Sequence, residues 1–210
     1  MSREPVRIGL VGYGRGGRTF HAPLIDQAPE CVLAGVVTRS PQRRAELDKD
    51  YPGTPAHDDL AGLVAAGVDA VVVTTPLDSH EALVREAITL GLAVVCDKPF
   101  TPDAASARDL VATAERAGVL LSVYQNRRWD ADFLTVRTLV EDGELGKVLT
   151  FESRMEQHPP GSMFSLTGGG VLRDFGSHVV DQALQLFGPA DSVYAQTHLV
   201  PEQGLSLIHI

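Results

Sequence analysis

Hydrophobic residues in the first half of the chain occur in short continuous runs, and each run is followed by apolar residues at helical spacing. Continuous apolar runs are typical of parallel strands buried on both faces of a sheet. The predicted strands cover residues 6–11, 31–37, 69–75, 92–96 and 119–124, and the predicted helices cover residues 18–28, 41–51, 58–66, 79–90 and 103–117. This alternation, sustained over about 120 residues, predicts an α/β fold with a doubly wound parallel (Rossmann) sheet and right-handed crossovers.

The pattern changes near Tyr124. Two segments with helical spacing and two strand-like segments follow, and one long stretch is rich in Pro, Gly and Ser, which predicts a loop. The helices are predicted at residues 130–142 and 175–187, the strands at residues 147–155 and 192–200, and the loop at residues 157–170. We therefore expect a first domain over residues 1–123 and a second domain of α+β type over residues 124–204.

The composition is that of a globular protein, with 44% hydrophobic and 21% charged residues. A net charge of −9 without a basic block argues against nucleic acid and an anionic membrane surface as partners. The sequence shows neither an apolar run long enough to span a bilayer nor the apolar core of a signal peptide at its start. Cys31 and Cys96 lie in apolar runs and are expected to be buried, reduced thiols, which is typical of a cytoplasmic protein.

The first predicted strand ends in a glycine-rich turn, GYGRGG, at residues 12–17. Gly12 permits a tight turn, Gly14 lets the backbone approach a pyrophosphate, and Gly17 lets the next helix pack close to the strand. The start of that helix offers N–H groups and a positive dipole to phosphate. The pattern favours a dinucleotide-binding turn, and the alternative is an ordinary glycine-rich turn, because G-x-G-x-x-G alone is a weak signal.

The end of the second predicted strand bears on the choice between NAD and NADP. In dinucleotide-binding folds an acidic residue at this place selects NAD, whereas a nearby arginine accommodates the 2′-phosphate of NADP. Here the strand ends in Thr38, Arg39 and Ser40, and Arg43 and Arg44 follow without an acidic residue. Since a guanidinium binds phosphate in a bidentate manner, we predict NADP rather than NAD. The alternative is that Arg39 is a solvated surface residue.

Two further strand ends carry candidate chemistry, because ligands of open α/β sheets lie beyond the carboxyl ends of the strands. The third predicted strand leads into Thr75 and Pro76 and then His80, which is expected either to contact the cofactor or to satisfy local backbone groups. The fourth delivers Lys98 to its carboxyl end. A lysine there is costly unless it is paired or functional, so the alternatives are an ion pair with Asp97 or a surface position.

Three glycines at residues 168–170 precede a predicted helix that carries Asp174, His178 and Asp181. Asp174 and His178 are four residues apart and therefore share one helix face. Such a pair fits a metal site, an ion pair or an acid/base pair. A metal is disfavoured, because no further ligands cluster nearby in the sequence.

These motifs follow one another in a specific order along the chain. They are Gly12-x-Gly14-x-x-Gly17, Thr75-Pro76 with His80, Asp97-Lys98-Pro99, and Gly168-Gly169-Gly170 followed by Asp174, Gly176, His178 and Asp181. Together they resemble the glucose–fructose oxidoreductase, inositol dehydrogenase and rhizopine catabolism (Gfo/Idh/MocA) family. The family's usual Glu-Lys-Pro stands here as Asp-Lys-Pro, which keeps the lysine. The stretch YQNRRWD at residues 124–130, with residues 132–134, is similar to the NADP-dependent scyllo-inositol dehydrogenase branch.

The resemblance implies a dehydrogenase that transfers a hydride between NADP(H) and a secondary alcohol or ketone of a cyclitol or sugar. Lys98, Asp174 and His178 match the family's catalytic trio. In these roles His178 is the general base, Lys98 donates a hydrogen bond to the developing alkoxide, and Asp174 orients His178 or binds a neighbouring hydroxyl. The expected cofactor-binding residues are Gly12, Tyr13, Gly14, Arg15, Gly16, Gly17, Thr38, Arg39, Ser40, Thr75, Pro76, His80, Lys98 and Asn126. The resemblance also implies a dimer or tetramer, and the alternative function is an NAD(P)-binding sensor of the same fold.

Family members are well over half as long again as this chain, and its last residues have an unusual sequence. Residues 205–210, LSLIHI, resemble an in-frame translation of a sequencing-library adapter, the alternative being a native strand. We therefore expect a C-terminally truncated reading frame with an incomplete second domain and an adapter-derived tail. Truncation predicts unpaired edges along residues 147–155 and 192–200. It also predicts an incomplete substrate pocket, so that the alternative for this chain is an inactive fragment.

Overall fold

The computed structural model describes residues 4–155, 170, 172–200 and 205–209. The chain divides into two compact units, Met1–Tyr124 and Gln125–Ile210. No helix in the described part of the chain has both the length and the apolar composition that crossing a membrane requires.

The first unit is built on a six-stranded parallel sheet with the strand order β3-β2-β1-β4-β5-β6. The strands are β1 Val6–Val11, β2 Cys31–Val37, β3 Ala56–His57, β4 Ala70–Val73, β5 Ala93–Asp97 and β6 Leu121–Tyr124. The helices between them are α1 Ala22–Gln27, α2 Pro41–Asp50, α3 Leu60–Ala65, α4 His80–Thr89 and α5 Ala104–Ala117. This sheet confirms the predicted α/β fold, and the short β3 is an addition that the sequence pattern did not indicate.

Side-chain caps fix where three of the helices begin. The Ser40 hydroxyl accepts from the amide of Arg43 at the start of α2, and the Asp59 carboxylate accepts from the amide of Gly62 in α3. Asp103 accepts from two amides of α5. Each cap satisfies N–H groups that have no partner within the helix, which is worth about 1 kcal/mol.

Apolar side chains cover both faces of the sheet. Val71 and Val73 belong to one buried cluster, whereas Val72 between them belongs to another. The first cluster contains residues of α3, α4 and α5, and the second contains residues of α1 and α2. Consecutive valines therefore point to opposite, equally buried faces, which explains the continuous apolar run in the sequence.

The second unit contains helices and an antiparallel strand pair. A 3₁₀ turn, Asn126–Trp129, leads into α6 Ala131–Glu141, and a π-helical turn, Leu172–Gly176, leads into α7 Ser177–Phe187. Strand β7 Gln196–Val200 pairs with β8 Leu205–His209. The predicted strand at residues 192–200 therefore starts at Gln196, and the expectation of unpaired edges is wrong along the edge that faces β8.

The predicted strand over residues 147–155 is wrong. These residues form no strand, and Leu149 is 84% exposed. Alternating side chains supply an apolar face, but a strand also needs a hydrogen-bonded neighbour, and within the described residues none pairs with this segment. Of its apolar side chains, Phe151 packs instead on the Phe187 ring of α7 at a centroid distance of 5.3 Å.

The ends of the second unit bear on two further predictions. The predicted loop at residues 157–170 lies outside the described residues except for Gly170. Leu205–His209 has the backbone of a strand. The adapter origin of residues 205–210 stays a prediction, which sequencing across the source locus would test.

Candidate cofactor-binding and catalytic site

The glycine turn folds tightly against the ends of the neighbouring strands. The Gly12 amide donates to the Val37 carbonyl over 3.0 Å, with a φ of +104° that an L side chain rarely adopts. A Cβ on Gly17 would lie 2.2 Å from the Gly12 carbonyl oxygen, and a Cβ on Gly16 would lie 2.6 Å from the Thr74 hydroxyl. Only hydrogen fits at either position, so the helix after the turn packs closely on β1 and β4.

Gly14 lies in more open surroundings than the glycines beside it. A Cβ there would come no closer than 3.6 Å to another group, and that group is the Arg43 guanidinium. An added Cβ would thus make only ordinary van der Waals contact, so the turn's own backbone does not block a ligand's approach to Gly14. Arg15 is exposed next to it, whereas the Tyr13 side chain is buried and its hydroxyl donates to Asp50 over 3.0 Å. The predicted contact of Tyr13 with a cofactor is thus restricted to its backbone.

The arginines after β2 have different surroundings. Arg39 is exposed and its Nε donates to the Asp58 carbonyl over 3.0 Å, whereas Arg44 donates to the Thr38 carbonyl and to the Asp58 carboxylate. The Arg43 guanidinium has no hydrogen-bond partner within the described part of the chain. Because side chains lean toward the N-terminus of their helix, Arg43 in the first turn of α2 reaches back over Gly14. The sequence singled out Arg39, and the structure places Arg43 closer to the glycine turn.

A carboxylate at the end of β5 joins three elements beneath the glycine turn. One oxygen of Asp97 lies 3.3 Å from Nε2 of His21 and accepts from the Thr74 hydroxyl over 3.2 Å. Its other oxygen accepts from the backbone amide of Lys98 over 2.8 Å. Burial works to raise the pKa of Asp97, but the hydrogen bonds and the positive field of His21 outweigh it and hold this pKa below its usual range.

His21 is a site residue that the sequence analysis missed. It ends the π-helical turn Gly17–His21 that precedes α1, is 4% exposed, and its ring lies 4.5 Å from the Tyr124 ring between centroids. The available signal was a histidine among apolar residues on the first helix after the glycine turn. A histidine in that setting needs a polar partner, and the nearest strand end supplies one.

His80 connects the loop after β4 to the segment after β5. It is 1% exposed, with Nε2 lying 2.7 Å from the Thr75 carbonyl and Nδ1 lying 2.9 Å from the Pro99 carbonyl. The hydroxyl of Ser79 adds hydrogen bonds to Thr75 and to the carbonyl of Pro76. These contacts favour the interpretation that His80 satisfies local backbone groups. They also hold the segment that directly follows Lys98.

The second unit carries the other two members of the predicted trio. Asp174 lies in the π-helical turn Leu172–Gly176, and His178 lies in the first turn of α7 with 4% of its surface exposed. Asp181, one turn further along, forms a bidentate ion pair with Arg128, with distances of 2.7 and 2.5 Å. Asp181 thereby holds α7 against the 3₁₀ turn that begins at Asn126. The meeting of Lys98 with His178 stays a prediction.

Two family models match the chain. The oxidoreductase family with an NAD-binding Rossmann fold matches residues 6–125, and the GFO/IDH/MocA C-terminal domain matches residues 133–206. The chain is 40% identical to the uncharacterized oxidoreductase YdgJ of Escherichia coli (strain K12) over 88% of its own length and 54% of that protein's. It is 35% identical to scyllo-inositol 2-dehydrogenase (NADP(+)) IolW of Bacillus subtilis (strain 168), over 91% of its length and 54% of that protein's.

Solved structures agree with the family models. The crystal structure of an NAD-binding protein from Listeria innocua matches with a TM-score of 0.82 and 30% identity, covering 96% of this chain and 60% of that one. The chain spans about half the length of the curated relatives it matches. On the glycine turn, the parallel sheet and these two matching family models, the chain belongs to the Gfo/Idh/MocA oxidoreductase family.

Proposed function

We propose that this protein is an NADP-dependent dehydrogenase acting on a secondary alcohol or ketone of a cyclitol or sugar. The observation that carries the proposal is the packing of the glycine turn at residues 12–17 onto the strand ends that carry Thr74 and Asp97-Lys98. The glycine turn, for which we propose the binding of the cofactor's phosphates, therefore lies next to the segment that carries Lys98. A relative named scyllo-inositol 2-dehydrogenase (NADP(+)) supports both the cofactor and the substrate class.

The cofactor's phosphates fit the first unit for two reasons. A pyrophosphate would approach the backbone at Gly14, where an added Cβ would meet only the Arg43 guanidinium, close to backbone N–H groups at the start of a helix. The residues after β2 then supply guanidinium groups rather than a carboxylate, so a 2′-phosphate finds attraction where the adenosine ribose is expected. Arg43 is the arginine best placed for this contact, with Arg39 beside it as the group that the sequence predicts.

The proposed chemistry assigns one role to each member of the trio. NADP⁺, when bound, supplies the nicotinamide carbon that accepts the hydride. His178 takes the proton of the substrate hydroxyl as that hydride leaves the carbon, and it returns the proton when the reaction runs toward the alcohol. Lys98 donates a hydrogen bond to the same oxygen and stabilises the developing alkoxide. Asp174 orients His178 or binds a neighbouring hydroxyl.

Turnover of inositols and aldoses with NADP⁺ tests the proposal. We expect His178→Ala and Lys98→Ala each to lower kcat at least about a hundredfold while the circular dichroism spectrum is unchanged. Lys147→Ala is the matched control, because Lys147 is exposed in the second unit and should leave the rate intact. Near-normal rates in the His178 or Lys98 variants would remove those assignments. Cofactor binding without any hydride transfer by the full-length protein would favour a sensor, whereas activity that only the full-length protein shows would favour the inactive-fragment alternative for this chain.

The choice of cofactor has its own test. Fluorescence titration with NADPH and NADH should show tighter binding of NADPH by the wild-type chain. We expect Arg43→Gln to weaken NADPH binding about tenfold or more, the loss of a charge-assisted phosphate contact, and to leave NADH binding unchanged. Arg39→Asp should also reduce the preference, and equal preference in both variants and the wild type would contradict NADP selection by this arginine cluster.

Cellular location and assembly complete the proposal. Cys96 is buried as predicted, whereas Cys31 is only partly buried, so the prediction of two buried thiols is wrong for Cys31. We propose a cytoplasmic location, because the sequence has the cysteine usage of a protein of a reducing compartment. We also propose that the protein is a homo-oligomer when full length. Light scattering on the purified full-length protein tests the assembly, and a monomer at all concentrations would overturn it.

A further inference from the structure

Two buried histidines contact the residues on either side of Lys98. His21 lies 3.3 Å from the carboxylate of Asp97, the residue before Lys98. His80 lies 2.9 Å from the carbonyl of Pro99, the residue after Lys98. The two side chains are 4% and 1% exposed, so both contacts are shielded from water.

The two histidines come from different layers of the first unit. His21 precedes α1, whose residues belong to the apolar cluster on one face of the sheet. His80 begins α4, whose residues belong to the cluster on the other face. The segment that carries Lys98 is therefore held from both faces of the sheet at the point where β5 ends.

Each histidine also reaches a part of the predicted cofactor site. The helix that carries His21 starts directly after the glycine turn, and Nε2 of His80 lies 2.7 Å from the carbonyl of Thr75 in the loop after β4. Through Asp97, His21 is further linked to the Lys98 amide, which donates to the second carboxylate oxygen over 2.8 Å. A displacement of the end of β4 or of β5 would therefore displace the backbone of Lys98.

We propose that His21 and His80 are positioning residues that together fix Lys98 relative to the glycine turn. The proposal rests on the proposed function in one respect, namely that Lys98 acts on a substrate. Its physical basis is that a displacement of about 1 Å in a catalytic group can cost two orders of magnitude in rate. Hydrogen-bonded partners behind a reacting group are a general means of preventing such displacement.

The reactivity of the Lys98 amine provides a test that does not depend on turnover. The chain contains three lysines, Lys49, Lys98 and Lys147, so trace acetylation followed by peptide mass spectrometry measures Lys98 against two internal references. We expect His21→Leu and His80→Leu to raise the acetylation rate of Lys98 several-fold relative to Lys49 and Lys147. His21→Gln, which keeps an N–H donor near the position of Nε2, should restore the wild-type ratio.

Two controls separate positioning from general destabilisation. His57→Leu removes a histidine from β3 at the opposite edge of the sheet and should leave the Lys98 ratio unchanged even if it lowers the melting temperature. If His21→Leu fails to fold, His21→Asn and His21→Gln are compared instead. The glutamine amide keeps a donor near the position of Nε2, whereas the asparagine amide is too short to reach Asp97. An Asn variant with a raised ratio beside a normal Gln variant supports the proposal, and equal ratios in the two overturn it.

Steady-state kinetics add a second readout. In the variants that raise Lys98 reactivity, we expect kcat to fall about tenfold or more while the KM for NADP⁺ changes little. A wild-type protein without turnover would count against the proposed function and leave the labelling test intact. Unchanged Lys98 reactivity in both folded leucine variants, or an equal change in His57→Leu, would overturn the positioning roles.

Discussion

Replacing Gly17 with alanine should damage the fold and the cofactor site together. The added Cβ would lie 2.2 Å from the Gly12 carbonyl oxygen and 3.1 Å from Cγ2 of Thr74. Ordinary contact begins at 3.4 Å, so the helix after the turn must move by about 1 Å away from β1. The nearest atom belongs to the backbone, which cannot rotate aside as a side chain can.

The expected magnitude follows from the rigidity of that contact. Overpacking a filled site costs about 1–3 kcal/mol, and the backbone clash places Gly17→Ala at the upper end. For a chain of this size, a loss of about 3 kcal/mol lowers the melting temperature by roughly 6–12 °C. We also expect NADPH affinity to fall, since the displaced helix start no longer presents its N–H groups in the same position.

Gly14→Ala is the matched control, two glycines earlier in the same motif. Its Cβ would come no closer than 3.6 Å to another group, so the fold should keep its melting temperature or gain slightly. NADPH binding should nevertheless weaken, because the methyl group occupies the approach to the backbone. Thermal unfolding by circular dichroism and NADPH fluorescence measure the two properties separately. A Gly17→Ala protein that melts within about 2 °C of wild type and binds NADPH normally would contradict the predicted clash with the Gly12 carbonyl.

Three further predictions follow from hydrogen bonds and burial. The depressed pKa of Asp97 contributes stability that is fully present above the ordinary carboxyl range and is lost as the pH falls through the lower pKa of the folded state; urea unfolding should show Asp97→Asn less stable than wild type at pH 7 by a difference that shrinks as the pH is lowered below that range, and a pH-independent difference would contradict this. Asp181→Asn should cost about 1 kcal/mol, modest because the Arg128 side chain is 40% exposed; a double-mutant cycle that finds no coupling would refute the pair. Burial raises the pKa of the Cys96 thiol to about 12, so iodoacetamide should modify the less buried Cys31 first and reach Cys96 only on unfolding, and equal rates would argue against this packing.

The sheet could be predicted because its strands are buried on both faces. Runs such as that around Val72 contain too few polar residues to fit anything but a covered strand, and the glycine turn follows one of them directly. The same use of the hydrophobic pattern fails for residues 147–155. Their alternation predicts a strand, but pairing depends on a neighbour that local sequence does not reveal.

The sequence indicates which type of site to expect, but it identifies only some of the residues that the structure brings together there. Lys98 could be identified as a candidate because it directly follows a buried strand. The arginines after β2 could be identified because no acidic residue occurs at that position. The distinction between Arg39 and Arg43 depends on how α2 packs over Gly14. His21 lies 76 positions from its partner Asp97, and no local pattern connects residues so far apart.

We propose that Lys98 and His178 act on one substrate oxygen beside the nicotinamide of a cofactor held by the glycine turn. A crystal structure of the protein with NADP⁺ and an inositol would show where these groups lie. We expect Nζ of Lys98 and a ring nitrogen of His178 to lie within hydrogen-bond reach, roughly 2.6–3.2 Å, of the same hydroxyl oxygen. A complex in which either group lies far from that oxygen, or in which the cofactor lies away from residues 12–17, would contradict it.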